Sequence, residues 1–384
     1  MRYRVTCLTP LLVGDGGKLS PIDYMVWKDQ VNVLDQRRIF RLLAKGPRLE
    51  GYLSQLKRAE KLDFASWGGF AQNFAGRRIP FEHPSCAVHW ERAPAESLHI
   101  STFATGPHGP YLPASAMRGA LRTGMLFAGL EDNSLEKLEA MYHGERPPRR
   151  PGDALEERTL GLGGNSRLRA VGASDSDPVQ TSAMKVYLLR VASLRGRNRD
   201  GFDLGWKRSP SGTADGARPQ DGYSLFAEMA SPGTVFEGVW RESAFLARPE
   251  IVRALGWRRP VSRGAVFDAA NQYAAALIEA HGSYAKGAGL DLVARSLEQM
   301  QEQTSAARAG GNACLLSLGW GPGLLSHVAW LKTDDPAYRQ ILGRTGIYSQ
   351  GLYPGFPFPK TRRIVFLEDR PAVLPGWALL EVSD

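Results

Sequence analysis

Strand-period and helix-period segments follow one another irregularly along this 384-residue chain, and that irregularity restricts the fold more than any other feature. Residues 3–13 alternate loosely through Val5, Leu8, Leu11 and Val13 and predict a first strand. Residues 23–33 predict a hairpin turning at Lys28-Asp29. Asp35 is placed to cap a short helix through Leu43, and Leu49, Leu53 and Leu56 mark one side of a second helix running to Leu62. Residues 64–105 have no assignable period. Residues 111–126 read as strand, proline, cap and helix, and a short helix follows over 133–142.

Residues 145–182 are rich in Gly, Pro, Arg and Asp and predict loops, whereas 185–194 is a strand pattern. Residues 195–222 have almost no aliphatic side chains and predict a mobile, solvated loop. Residues 223–240 predict a hairpin with Ser231-Pro232-Gly233 as its turn. Three helices are expected over 248–255, 266–280 and 290–308. They are followed by a strand over 313–318, the turn Gly319–Gly323, a short helix to Leu331 and an Asp335-Pro336 helix start. Two strands, 362–367 and 377–382, finish the pattern. Regular β–α alternation is missing, so a doubly wound parallel sheet is disfavoured. The expectation is α+β with antiparallel pairing, a decorated ferredoxin-like unit with a second unit beginning near residue 183.

The chain has 48 Lys and Arg against 39 Asp and Glu, a formal charge of +9. A basic balance favours a polyanionic partner through steering and is silent on the fold. Hydrophobic residues at 43% suffice for a core, and 23% charged residues is too ordinary for a basic tail. The three cysteines, Cys7, Cys86 and Cys314, are far apart with no CxxC, which argues against a zinc knuckle or a disulfide framework. No apolar stretch is long enough for a signal peptide or membrane span, and a reducing, cytoplasmic setting without membrane contact is expected.

Three segments carry anion-binding chemistry. In Tyr111-Leu112-Pro113-Ala114-Ser115-Ala116-Met117-Arg118-Gly119-Ala120-Leu121-Arg122, Ser115 is a natural N-cap. Met117, Ala120, Leu121 and Met125 form one buried stripe, and Arg118 and Arg122 share another face. Arg118 then falls in the first turn, where the helix dipole disfavours a cation unless an anion sits there too. The plain alternative is an amphipathic helix with solvated arginines. The loop Gly319-Trp320-Gly321-Pro322-Gly323 permits close backbone approach to a ligand, but it lacks GxGxxG spacing and the P-loop lysine. A tight structural turn is its alternative. Lys360, Thr361, Arg362 and Arg363 enter a strand with the residue types that contact phosphates, or that guard a sheet edge. Arg195, Arg197, Arg199, Lys207 and Arg208 form a looser basic run, which solvation alone explains.

Catalytic patterns are sparse. The seven histidines form no HxxxH or HExxH, and no GxSxG is present. Asp175 and Asp177 in ASDSDP suit a side-chain-capped turn better than a metal. Asp23, just after the glycine-rich loop at Gly14–Gly17, is the minority candidate for a catalytic carboxylate.

Taken together, these segments resemble the RAMP superfamily of CRISPR proteins. The resemblance rests on Leu8–Gly16 with Leu19–Tyr24, on Tyr111–Arg122 and Ala173–Pro178, on Glu228–Thr234 and Gly319–Gly323, and on Phe358–Arg362. Their order and the chain length resemble the terminal subunit, fifth in the Csm series, of type III-A effector complexes. The resemblance implies tandem RRM-like (ferredoxin-like) domains: residues 1–182 with a helical insertion at about 35–105, and 183–384 with one at about 245–310. It implies a non-catalytic subunit capping the backbone at the 3′ end of the guide RNA, beside backbone and small Csm subunits, touching target RNA only indirectly and supporting guide maturation through recruited host nucleases. RNA contacts are expected from Gly16, Lys18, Ser115, Arg118, Arg122, Gly319, Gly321, Gly323, Lys360, Thr361, Arg362 and Arg363, with no cofactor. The competing expectation is a Mg²⁺-dependent ribonuclease using Asp23, which falls where the related repeating subunit carries its cleaving aspartate. Ala114-Ser115 stands where the family segment has Gly-Ser.

Overall fold

The computed structural model describes residues 1–44, 46, 48–58, 74–142, 150–196, 202–257, 259–344, 352 and 357–383. It is α+β with largely antiparallel sheets, as the irregular patterning predicts; the one parallel strand pair among the described residues joins Leu225–Ala230 to Ile100–Ser101.

Strand Arg2–Cys7 is the centre of the first sheet. Its alternation puts Tyr3, Val5 and Cys7 in the core and leaves Arg2 and Arg4 outside, where they pair with Asp177 and Glu237. It is flanked by Val235–Glu242 on one side and Trp377–Ser383 on the other, both antiparallel. Val171–Ala173 and Ala313–Ser317 complete the two edges. Helix Ala114–Ala128 lies in the connection from the central strand to Val171–Ala173, and helix Arg263–Gly287 in the connection from Val235–Glu242 to the far side. Leaving aside the added edge Ala313–Ser317, this is the ferredoxin order. The two helices meet where Gly124 leaves room for Ala270: a Cβ at Gly124 would stand 2.8 Å from the Ala270 Cα. Asn271, buried within the longer helix, donates to the Ala313 carbonyl (3.0 Å) and accepts from the Leu315 N–H (2.9 Å), pinning helix to edge strand.

The second sheet is built around Met184–Gly196, buried along most of its length between Leu225–Ala230 and Thr361–Leu367. Continuous burial reflects cover on both faces. Arg190 is caught in this interior, so its guanidinium must find internal partners. It donates to the Pro219 carbonyl (2.9 Å), lies 3.1 Å from His89 Nδ1 and sits over the Phe366 ring.

Several expectations change. Residues 225–242 do not form a hairpin: Leu225–Ala230 belongs to the second sheet and Val235–Glu242 to the first, so Ser231–Gly233 is a crossover between sheets. The sheets therefore interleave across residue 182, and strands from both halves build the first sheet. Of the expected mobile loop, Phe202–Trp206 is a strand paired with Met184–Gly196, anchored by buried Trp206 edge-on to Phe366 at 5.6 Å. Arg197 and Arg199 lie outside the described residues, as does the end of the second predicted helix at Leu62. Helix Pro151–Leu160 occupies part of a predicted loop region. The helix expected after Gly323 is a single 3₁₀ turn, Leu324–His327. The hairpin at Lys28-Asp29 and the Asp35 cap form as predicted, with Asp35 accepting from the Arg38 N–H at 3.0 Å. Among the described residues no helix is long and apolar enough to cross a membrane.

Candidate nucleic-acid interface

Three segments far apart in sequence line one groove of about 470 Å³: the glycine loop after the first strand, the start of helix Ala114–Ala128, and the loop beginning at Gly319. The first is held out by backbone bonds at its base, between Leu11 and Ala230 (3.1 and 2.8 Å) and from the Ala104 N–H to Val13 O (2.9 Å). Beyond these the chain turns through Gly16, whose φ of +92° favours glycine, and Asp15 Oδ1 accepts from the Gly17 N–H (2.8 Å). Lys18 follows, exposed and lining the groove, in a two-residue strand against Ile100–Ser101. Ser101, Thr102 and Ser115 bring hydroxyls to the same groove, Ser326 lines it with its hydroxyl bonded to Ser317 Oγ (2.8 Å), and exposed His327 lines it too. Hydroxyls, a lysine and glycine backbone are the groups that contact phosphate and sugar rather than base edges.

The glycines of the third segment divide by role. Gly319 has φ +80°, and a Cβ there would collide with the Leu12 carbonyl, to which Trp320 donates at 3.0 Å. A Cβ at Gly321 would collide with the Pro375 ring. Both are glycine because the chain packs on itself there. Gly323, with φ +88°, faces open space. Gly119 is likewise open: it lies inside a helix where glycine costs about 1 kcal/mol relative to alanine, and it leaves the groove floor flat.

The helix start departs from expectation. The N-cap is Pro113, not Ser115, and the first free N–H, that of Ala114, donates to Asp175 Oδ1 at 2.7 Å. The anion that the helix dipole favours is thus supplied by ASDSDP, whose Ser176 Oγ also accepts from Leu112 N–H (2.8 Å). With the cap moved, Arg118 falls in the second turn, so the dipole argument for an external phosphate beside it lapses. Arg118 is exposed and has no ion-pair partner among the described residues. Arg122 is committed: both its Nε and Nη2 donate to the carboxylate of Glu156.

A second groove of about 420 Å³ lies across a ridge formed by Trp320 and Arg363. Its lining includes Lys207, Tyr223, Gly323 and residues 358–363. Strand alternation splits the basic cluster. Arg363 points outward, stacked 4.4 Å above the Trp320 indole and donating to the Trp320 carbonyl (3.3 Å). Arg362 points inward and is 6% exposed. It donates to His281 Nδ1 (3.0 Å) and to the Pro359 and Thr361 carbonyls, and it rests on the Tyr284 ring. Burial pushes its guanidinium down to about 10, and burial holds His281 well below the usual imidazole range. Arg362 braces the turn that presents Lys360 and Thr361; it is not placed to meet a ligand.

Asp23 is a turn cap. Its Oδ2 accepts from the Ser20 N–H (2.7 Å) and hydroxyl (2.5 Å), and its Oδ1 from Gln36 Nε2 (3.0 Å). Asp177 pairs with Arg2. Among the described residues no group of three metal-ligating side chains comes together.

Trp320, Ser101, Thr102 and His327 were absent from the residues singled out in the sequence. Trp320 stood inside the glycine loop and was legible there as the lone aromatic. Ser101 and Thr102 come from a segment without a pattern and His327 from one read as a short helix, and only the fold brings them to the groove.

No protein-family model matches the sequence, and no curated protein matches it. Solved structures do match in fold. A chain from the cryo-EM structure of a Csm–crRNA–target RNA ternary complex of a type III-A CRISPR–Cas system is similar with TM-score 0.68 and 19% identity, over 99% of this chain and 100% of that one. The crystal structure of T. onnurineus Csm5 is similar with TM-score 0.55 and 15% identity, over 99% and 100% of the two chains. The resemblance read from short motifs is met by a shared fold over nearly the whole length.

Proposed function

We propose that this chain is a terminal Csm-type subunit of a type III-A CRISPR effector and that it holds the guide RNA by its backbone in the two grooves joined at the Trp320–Arg363 ridge. One observation carries the reading: the glycine loop with Lys18, the Ser115–Gly119 helix face and the Gly319–Trp320 loop, separated by up to 300 residues of sequence, meet in one hydroxyl-lined groove. The fold shared with a chain of a Csm–crRNA–target RNA complex supports it. Lys18, Ser115, Arg118 and Gly16 serve the first groove and its surroundings, and Gly323, Lys360, Thr361 and Arg363 the second. Gly319, Gly321, Arg122 and Arg362 shape the walls. Asp23 is read as a turn cap, with Ser20 and Gln36 donating to its two oxygens.

Neighbouring Csm backbone and small subunits, indirect target contact and recruited nucleases belong to the same proposal. The test is co-purification. Tagged chain, co-expressed with its neighbouring genes and a repeat–spacer array, should bring down an RNA with a repeat-derived 5′ tag. Lys18→Glu combined with Arg118→Glu should reduce the RNA recovered per complex. Undiminished RNA in that double variant would refute the grip, and complexes without RNA in the wild type would refute the assignment.

A further inference from the structure

A cavity of about 750 Å³, larger than either of the two grooves, opens between the end of helix Ala114–Ala128, the C-terminal half of helix Arg263–Gly287 and the segment after Leu324–His327. Its walls are apolar: Phe127, Leu130, Trp330, Leu331 and, at the base, Phe358. These are fixed surfaces. Phe127 is tilted against Tyr273 at 5.5 Å, and the Trp330 indole donates to the Lys332 carbonyl (3.1 Å).

The rim has the opposite sign to the neighbouring basic groove. Glu131, Asp132, Glu279 and Asp334 stand exposed around it, with Lys332 as the one exposed cation lining it among the described residues. Asp132, Glu279 and Asp334 have no ion-pair partner among the described residues. The two cavities share Leu325, Phe358 and buried Arg362 as a common wall. Glu131 pairs with Lys137 (2.6 Å); on a chain of net charge +9, the three other carboxylates gathered around one apolar hollow repel an RNA backbone and attract cations.

We propose that this cavity docks a protein segment that buries one or two large apolar side chains and flanks them with lysine or arginine. The apolar walls desolvate the anchor, and the carboxylates at the rim select the flanks. The site is separate from the guide groove and would let a protein partner and an RNA occupy adjacent faces at once.

The test uses the full chain freed of nucleic acid and three fluorescein-labelled peptides read by anisotropy. They are Lys-Lys-Leu-Trp-Lys-Lys, the same anchor between glutamates, and the same lysines around Ala-Ala. The first should bind wild type roughly tenfold or more tightly than either of the others. Glu279→Lys with Asp334→Lys should weaken it by at least about tenfold, whereas Glu302→Lys, an exposed reversal on another helix, should leave it within about twofold. Ala280→Trp, which fills the cavity from the helix wall, should abolish binding; because these reversals are on the surface, the result stands even if that variant folds poorly. Equal binding of the Ala-Ala peptide, or of the first peptide to the double reversal, would overturn the proposal. RNA affinity that falls in the double reversal would overturn the separation from the guide groove.

Discussion

Replacing Trp320 separates stacking from charge at the ridge. The indole is 36% exposed, with Arg363 above one face, so it has room for a single base. Base–aromatic stacking is worth about 1–3 kcal/mol, so Trp320→Ala should weaken a short unstructured RNA by about fivefold to 150-fold. No phosphate contact is lost, so the deficit should be the same at every salt concentration, and Trp320→Phe should recover most of it. Lys18→Ala should behave differently. Losing one phosphate contact to a single strand lowers the salt slope by about 0.7, so its deficit should shrink about 2.5-fold between roughly 50 and 200 mM salt. Anisotropy titrations of the full chain across that range measure both, with thermal melts confirming that each variant is folded. A Trp320→Ala protein that binds within twofold of wild type, or whose deficit fades with salt as that of Lys18→Ala does, would refute the platform.

Arg122→Ala should leave the RNA salt slope unchanged and cost at most about 1 kcal/mol in a urea melt, because the pair with Glu156 has 41% of the arginine side chain exposed. Gly319→Ala should destabilise by more than about 2 kcal/mol, since left-handed strain adds to a backbone collision with Leu12; Gly323→Ala should cost only the strain, about 1 kcal/mol. A reversed ranking in denaturant melts would contradict the division of roles. His281 gives a pH dependence. Its folded pKa lies below the unfolded value of 6.5, so the unfolded chain binds the extra proton and stability falls with acidification. About 1 kcal/mol should be lost between pH 6.5 and about 5.5 through this one group, and His281→Gln should flatten that limb of the stability–pH curve.

Local chemistry was legible where it was self-contained. Asp35 capped the helix it preceded, and Lys28-Asp29 made the turn, because those conformations depend on neighbours in sequence. Readings that needed a partner elsewhere went astray. Ser231-Pro232-Gly233 has the composition of a hairpin turn, yet its flanking strands pair with Arg2–Cys7 and Met184–Gly196, so the same residues make a crossover. Arg118 suggested a missing anion at the helix start, and Asp175 supplies one to the Ala114 N–H, 61 residues away from Ala114. Arg362 and Arg363 are indistinguishable in composition; the strand's period of two, plus a buried histidine on one side and an indole on the other, gives them opposite duties.

The central strand of the first sheet is closed by strands distant in sequence. Arg2–Cys7 pairs with Val235–Glu242 on one edge and Trp377–Ser383 on the other, so the sheet rests on long-range contacts. The Gly16 loop hangs from that strand and the Gly319 loop from the edge beyond Trp377–Ser383. Trp377–Ser383 is therefore the strand that ties the edge carrying the Gly319 loop to the sheet carrying the Gly16 loop. A break in Trp377–Ser383 should thus act on the groove at a distance, although that strand contributes no residue to its lining.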